Sequence, residues 1–433
     1  MSGPTTIRVT SYNVGFGDCF VLSFQYPDAT ADRHVLIDFG TTKLPLLGER
    51  SLEGVARQIA DDTNGKLHMV AVTHRHADHM SGFAGKPGRI IADLQPDLVV
   101  QPWTEDPDLD PDATAPGSGG GGGGGGHTAA ARAVTTRLAE MDTVAKSVRR
   151  AASRTLAAGR TPVSLGEELH FLGETNIKNG PAVRALMTMG KRRVYAKFGT
   201  RLPISTILPG VTVQVLGPPT AEQAPGMASM ASKDAQEYWH LAAAVARRSA
   251  DADPKPLFPD AEAVGIPQAA RWLVPQIDRM NAEESLAIVR AIDDALNNTS
   301  LILLFDVRGT KLLFSGDAQI EDWRYALFGA ATSPEIRASL ADVAMYKVGH
   351  HGSLNGTPKT VWFGFTRRGD DLKPDRLRTM VSSLSGKHGK ASRNTEVPRR
   401  KLMEALDAGS ELHTTHLLRK TGAVRSLTIQ VPD

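Results

Sequence analysis

Val72-Thr73-His74-Arg75-His76-Ala77-Asp78-His79-Met80-Ser81-Gly82 concentrates three imidazoles and a carboxylate within six residues, in a chain with only 13 histidines among 433 residues. Imidazole nitrogens and carboxylate oxygens in such density are ligands for a divalent ion: zinc first, manganese or iron next. On an extended backbone His74 and His76 point the same way and can grip one ion. Asp78 and His79 follow where the chain must turn, so they can aim at a second ion beside the first. An isolated histidine here would be no more than an exposed polar turn, but a cluster of this density is a metal site.

Elements must deliver these groups. Leu67 to Val72 is an apolar run of strand length that ends in the cluster, which places the ligands at the lip of a sheet. Ile7–Asn13 alternates as a strand, Phe20–Phe24 reads as its hairpin partner, and His34–Gly40 is a third strand ending in Asp38. Val14-Gly15-Phe16-Gly17-Asp18 lies between the first two, with glycines that allow a tight turn around Asp18. For Asp18 and Asp38 the plain alternative is a turn aspartate capping backbone amides. Ser51–Thr63 reads as an amphipathic helix capped by Ser51 with Val55, Ile59 and Ala60 on one face. Further strands are expected at Leu98–Val100, Glu168–Leu172, Arg193–Phe198, Ile204–Leu208 and Val211–Leu216. Downstream, Lys311–Asp317 is a strand running into an aspartate, and Val343–Ser353 a strand running into His350 and His351. Thr379–Leu384 reads as a strand, Pro398–Leu406 as a helix, and two strands close the chain.

Two stretches break the pattern. Residues 104–160 hold an uninterrupted glycine run, Gly119–Gly126, then an alanine-rich segment with Arg132, Arg137, Lys146, Arg149, Arg150 and Arg154. Residues 220–296 are alanine-rich, mostly helical and punctuated by proline. Both read as insertions, between a first part (1–103), a middle part of returning strands (161–219) and a last part (297–433). Cys19 is the single cysteine, so no internal disulfide exists and a reducing compartment is expected. Net charge is +3, too small to imply a polyanion partner. Without an apolar run of membrane-spanning length or a basic-then-apolar N-terminal segment, a cytoplasmic protein with no membrane partner is expected.

His-x-His-x-Asp-His followed by Ser81-Gly82 resembles the signature of the metallo-β-lactamase-fold hydrolases. The Val-Gly-x-Gly-Asp, Leu-Ile-Asp-x-Gly and Lys-Val-Gly-His-His-Gly-Ser blocks are similar to the ComEC-type, DNA-uptake-nuclease-like subgroup. The resemblance implies an α/β fold, an αββα sandwich, interrupted here by two largely helical insertions. It implies two divalent ions, Zn or Mn, held by His74, His76, Asp78, His79, Asp317 and His351, with Asp317 bridging them. Asp38 would orient an imidazole, and Asp18 would support the site. His351, which precedes Gly352, matches the family's ligand better than His350, although spacing alone leaves both open. Where most members carry a third histidine for the first ion, this chain has Asn297 or Asn298, a weaker donor, which leaves the ion count open. Ser385 to Pro398 resembles the subgroup's closing segment, where substrate-binding groups gather.

The implied reaction is hydrolysis by a metal-bound hydroxide. Asp78 would orient the nucleophile, and Lys347, His350 or His388 would neutralise a phosphate or protonate the leaving group. A phosphodiesterase or nuclease acting on a phosphodiester or nucleic acid is the first expectation. It draws also on the basic clusters Lys191–Arg193, Arg367-Arg368 and Arg399–Lys401. A small-molecule hydrolase acting on a lactone, β-lactam or thioester is the second, and a metal-stabilised binding or effector module the third. A structural zinc site would be closed by four protein ligands, whereas this set leaves room for water.

Overall fold

The computed structural model describes residues 3–27, 31–48, 51–106, 180–220, 222–224, 296–370, 373, 375–387 and 396–432. Most of both insertions, the expected strand at Glu168–Leu172, and His388 and Asn394 lie outside them. Within the described residues the chain is mixed α/β, with thirteen strands in two mixed sheets and eight α-helices.

The first sheet contains β1 (Thr6–Tyr12), β2 (Cys19–Gln25), β3 (Arg33–Phe39), β4 (Met69–Ala71), β5 (Leu98–Pro102) and β6 (Arg192–Ala196). The last strand of the chain, β13 (Val424–Gln430), pairs with β1 at its edge. β1, β2 and β3 are antiparallel neighbours, and β3 to β6 run parallel. The second sheet repeats the plan. β7 (Thr212–Gly217), β8 (Ile302–Val307) and β9 (Thr310–Phe314) are antiparallel, and β9, β10 (Val343–Lys347), β11 (Arg378–Val381) and β12 (Glu411–Thr414) are parallel.

The alternation of the strands divides their apolar side chains between two faces. Ile7, Val9, Phe20, Leu22, Val35 and Ile37 from one sheet meet Leu303, Phe305, Leu312, Phe314 and Met345 from the other, in a fully buried core between the sheets. The outer face of the first sheet (Val21, Leu36, Val70, Val99) is covered by helices. These are α1 (Glu53–Asp62), α3 (Gly85–Asp93) and α4 (Gly180–Thr188), and they bury Val55, Ile59, Ile91, Ala182 and Leu186. The outer face of the second sheet (Ile302, Leu304, Leu313, Tyr346) is covered by four more: α5 (Ile320–Arg324), α6 (Ser333–Ala341), α7 (Lys359–Gly364) and α8 (Arg400–Gly409). The layers are therefore helix, sheet, sheet, helix.

Two expectations change. Ile204–Leu208 is not a strand. Ile204 and Leu208 are buried in the inter-sheet core from a turn in which Leu208 N–H donates to Ile204 C=O at 2.7 Å. Their spacing of four is helical, and the one-turn conformation satisfies it. Helix α1 begins at Glu53, and its N-cap is Leu52; the Ser51 hydroxyl accepts only a long 3.4 Å bond from Glu53 N–H.

Asp322, at the start of α5, is fully buried, and neither carboxylate oxygen has a hydrogen-bond partner. Burial and the nearby Glu321 push its pKa well above the ordinary carboxylate value. The folded state therefore holds a proton that the unfolded chain releases above about pH 3.9. Ionisation of Asp322 thus costs no stability below that pH and costs progressively more as pH rises. Asp322→Asn is expected to raise stability at pH 7–8 by about 1–3 kcal/mol, with the gain vanishing toward pH 4. Thermal unfolding across that range checks it; equal gains at both ends would refute the cause.

Candidate metal centre

Ligands in open or closed α/β sheets collect beyond the carboxyl ends of parallel strands. Both sheets obey this at a shared edge. Asp38 closes β3, His74 and His76 follow β4, Asp317 follows β9, His350 and His351 follow β10, and Ser382 follows β11. Asp78 and His79 stand on the one-turn helix α2 (Ala77–Met80). The turns are tight. A β-carbon at Gly40 would come within 2.5 Å of Ala77 O and Met80 N, and one at Gly316 (φ +52°) within 2.7 Å of the Thr73 side chain. These contacts press the β3 and β9 ends against the histidine segment. Asp38, His350 and His351 adopt left-handed backbone (φ 55°, 49° and 51°), a conformation side chains seldom take and which the surrounding packing must impose.

Four buried groups converge. Asp78, His79, Asp317 and His351 each offer a ligand atom within 4.8 Å of the others. His79 Nε2 lies 3.2 Å from Asp317 Oδ2, and His351 Nε2 lies 3.1 Å from Asp78 Oδ2 and 3.5 Å from Asp317 Oδ2. His79 Nε2, Asp78 Oδ1 and Asp317 Oδ1 have no hydrogen-bond partner although buried, which is the condition of donors aimed at an ion.

The opposite ring nitrogens are anchored. His79 Nδ1 is 2.8 Å from Asp38 Oδ2, and Asp38 also accepts from Thr73 N–H and Thr73 Oγ1, both at 2.7 Å. His351 Nδ1 donates to Ser382 C=O at 3.0 Å and lies 3.3 Å from Asp18 Oδ1. Such outer contacts fix the tautomer and aim each Nε2 inward. A second buried group, Asp18, Asp38 and His79, also meets the distance condition for an ion. Asp38 there already accepts from Thr73 and His79, and Asp18 faces the Lys347 ammonium, so the first group is the better cage.

Charge compensation explains the titration. For His351 burial acts to lower the pKa, but Asp317 and Asp18 overcome it and raise it to about 10. His79 is likewise held well above its ordinary value by Asp317 and Asp38 against burial. Burial would raise Asp78, yet the hydrogen bond from His351 and the charge of His79 bring it down to about 2; against its own burial, Asp317 falls well below its usual range under the charges of His79 and His351. Carboxylates this close need positive charge between them, from protons or from a divalent ion. Ion uptake therefore displaces protons and strengthens as pH rises.

His74 and His76 adjoin this group as a pair, with His74 Nε2 3.0 Å from His76 Nδ1 and the His74 ring 4.2 Å from that of His79. Burial, His79 and His76 hold His74 well below its ordinary pKa, in the neutral form a ligand needs. His350 is set differently from its neighbour. Its side chain is 21% exposed, its Nε2 stands 3.9 Å from Asp317 Oδ2 and its Nδ1 is unpartnered. The structure thus separates the two adjacent histidines, His351 in the cage and His350 at its mouth. Lys347 is 2% exposed; its ammonium pairs with Asp18, donates to Gly316 C=O at 3.1 Å and lies 3.7 Å from Asp317 Oδ1. It is engaged in holding the aspartates rather than free to meet a phosphate. Asn298 Oδ1 accepts from Asp322 N–H at 3.4 Å, so its amide serves the start of α5.

Thr73 and Ser382 were not singled out by the sequence reasoning. Thr73 directly precedes the His-x-His pair at a strand end, a position from which its hydroxyl could have been inferred to bind a neighbouring ligand. Ser382 acts through its backbone carbonyl, which leaves no trace in residue type. No helix among the described residues is long and apolar enough to cross a membrane. No protein-family model matches the chain, and no curated protein matches its sequence.

Proposed function

We propose that the protein is a metal-dependent hydrolase of phosphodiesters, built on a metallo-β-lactamase-type αββα sandwich. The observation that carries this reading is the buried convergence of Asp78, His79, Asp317 and His351, three of which keep a buried polar atom without a hydrogen-bond partner. Mixed imidazole and carboxylate donors suit zinc or manganese. A divalent ion bound there would supply a Lewis acid and acidify a water toward neutrality.

The chain's own groups supply the rest. Asp38 and Ser382 hold the His79 and His351 rings in register. Phe16, itself buried, packs its ring 4.7 Å from that of His351 and helps to hold it. His350, partly exposed with its Nε2 3.9 Å from Asp317 Oδ2, is placed to give a proton to a departing oxygen. His74 and His76 form the open half of a second position, which lacks a third imidazole; its occupation is expected to be weaker than that of the four-residue cage.

The test is metal content by elemental analysis, followed by hydrolysis of bis(p-nitrophenyl) phosphate with added zinc or manganese, beside a lactone and a β-lactam. Metal-dependent release of nitrophenol that is absent in Asp78→Ala supports the reading. Hydrolysis of only the lactone or β-lactam overturns the choice of phosphodiester, and a metal-free protein that takes up no added ion overturns the whole.

A further inference from the structure

Beyond the metal cage the loop after His351 leads to a groove that the chemistry above does not use. It encloses about 700 Å³ between α7, the segment around Arg368 and α8. Its lining joins the buried Trp362 and Leu402 to the exposed Phe363 and to the cations Lys359, Arg368 and Lys401. Phe363 is 62% exposed, and Leu354, at the cage end, is 49% exposed. The Arg368 guanidinium sits over the Phe363 ring at 4.7 Å and the Trp362 ring at 5.4 Å, so the aromatic faces and the cation form one platform.

The groove is joined to the centre. Leu354 lies three residues beyond His351, a span of at most about 11 Å. It also lines a smaller hollow of about 140 Å³ with Glu396, Arg399, Arg400 and Lys401. Arg399 N–H donates to Gly352 C=O at 2.9 Å, which fixes this basic corner to the ligand loop. Together the two cavities are lined by five cations (Lys359, Arg368, Arg399, Arg400, Lys401) and two anions (Asp370, Glu396), a net of +3. A stacking platform bordered by cations fits a chain that alternates flat unpaired rings with negative charges. A duplex hides its ring faces, and an apolar peptide has no use for the cations.

We infer that this groove binds an unpaired strand of nucleic acid, stacking a base on Phe363 and Arg368 while its backbone follows the basic corner toward the metal cage. The inference rests on the phosphodiesterase reading for its purpose but not for its test. Binding of a fluorescein-labelled oligothymidylate to the full chain would be followed by anisotropy at several salt concentrations. Base stacking on a protein aromatic is worth about 1–3 kcal/mol, so Phe363→Ala is expected to weaken binding by roughly 5- to 150-fold. Arg368→Gln is expected to weaken it and to lower its salt dependence. Phe363 is exposed and Arg368 half-buried, both away from the cage, and both variants are expected to leave hydrolysis of bis(p-nitrophenyl) phosphate unchanged.

Wild-type affinity retained in both variants, tighter binding of the matching duplex, no binding at all, or equal Phe363-dependent binding of phosphatidylglycerol vesicles would overturn the groove. If the small phosphodiester is not hydrolysed but the oligonucleotide still depends on Phe363 and Arg368, the hydrolase reading fails and the groove stands.

Discussion

His351→Ala is expected to abolish tight metal binding, whereas His350→Ala is expected to keep the metal and lose turnover. The two residues are adjacent, so a general disturbance of the loop would strike both alike. The geometry separates them. His351 is fully buried, anchored at Nδ1 by Ser382, and its Nε2 faces Asp78 and Asp317. Its loss leaves Asp78 and Asp317 as buried carboxylates with one imidazole fewer between them. Lewis-acid stabilisation by an ion is worth several kcal/mol, and each 1.36 kcal/mol is tenfold, so phosphodiester hydrolysis should fall by about 10³ or more. His350 stands at the rim with an unpartnered Nδ1. Its removal should lower kcat by roughly 10²-fold, the low end for a general acid, and should leave metal content intact. The deficit should shrink for substrates whose leaving group needs no proton, such as nitrophenolate. Elemental analysis of the two variants decides: loss of metal in both, or in His350→Ala alone, refutes the assignment.

Lys347→Met is expected to lower stability by about 3–5 kcal/mol while raising affinity for a divalent ion. Burial opposes the charged ammonium, but Asp18 and then Asp317 hold it charged, above the ordinary lysine value. Removing it leaves the fully buried Asp18 carboxylate without its ammonium and with only the His351 and His79 imidazoles beside it, the costly way to break an interior ion pair. Asp18→Asn in the same chain should restore much of the loss, since the two substitutions share one interaction and cannot add. The same removal takes a positive charge from beside Asp317, 3.7 Å away, so the cage becomes more negative and should bind zinc severalfold tighter. Denaturant unfolding of the metal-free variant and a zinc titration give the two readouts. A merely structural lysine would move stability and affinity in the same direction.

Much of this was legible in the sequence, for a definable reason. The apolar runs that end at Asp38, His74, Asp317 and His351 are buried strands, each with at least one parallel neighbour, and their composition announces both the strand and its end. The imidazole-rich stretch around residue 76 contains two members of the cage, Asp78 and His79, while His74 and His76, expected as ligands with them, lie beside it. What stayed hidden depends on three-dimensional facts that residue type does not carry. The choice between His350 and His351 turns on two left-handed backbone conformations that no spacing encodes. Lys347 looks like a substrate-facing cation on paper, and only the packing of β10 between β9 and β11 shows it sealed against Asp18. Asp322 reads as one of several acids opening a helix, yet it is buried without a partner. The turn at Ile204–Leu208 uses the same apolar residues as a strand but fills a gap in the inter-sheet core.

The two sheets repeat one strand plan, and the cage draws from each: Asp78 and His79 from the first, Asp317 and His351 from the second. A bound cation is therefore a clasp across the seam. Its affinity should gauge how well the halves mate, as at the contact between Phe20 and Phe314, whose rings meet edge to face at 5.8 Å.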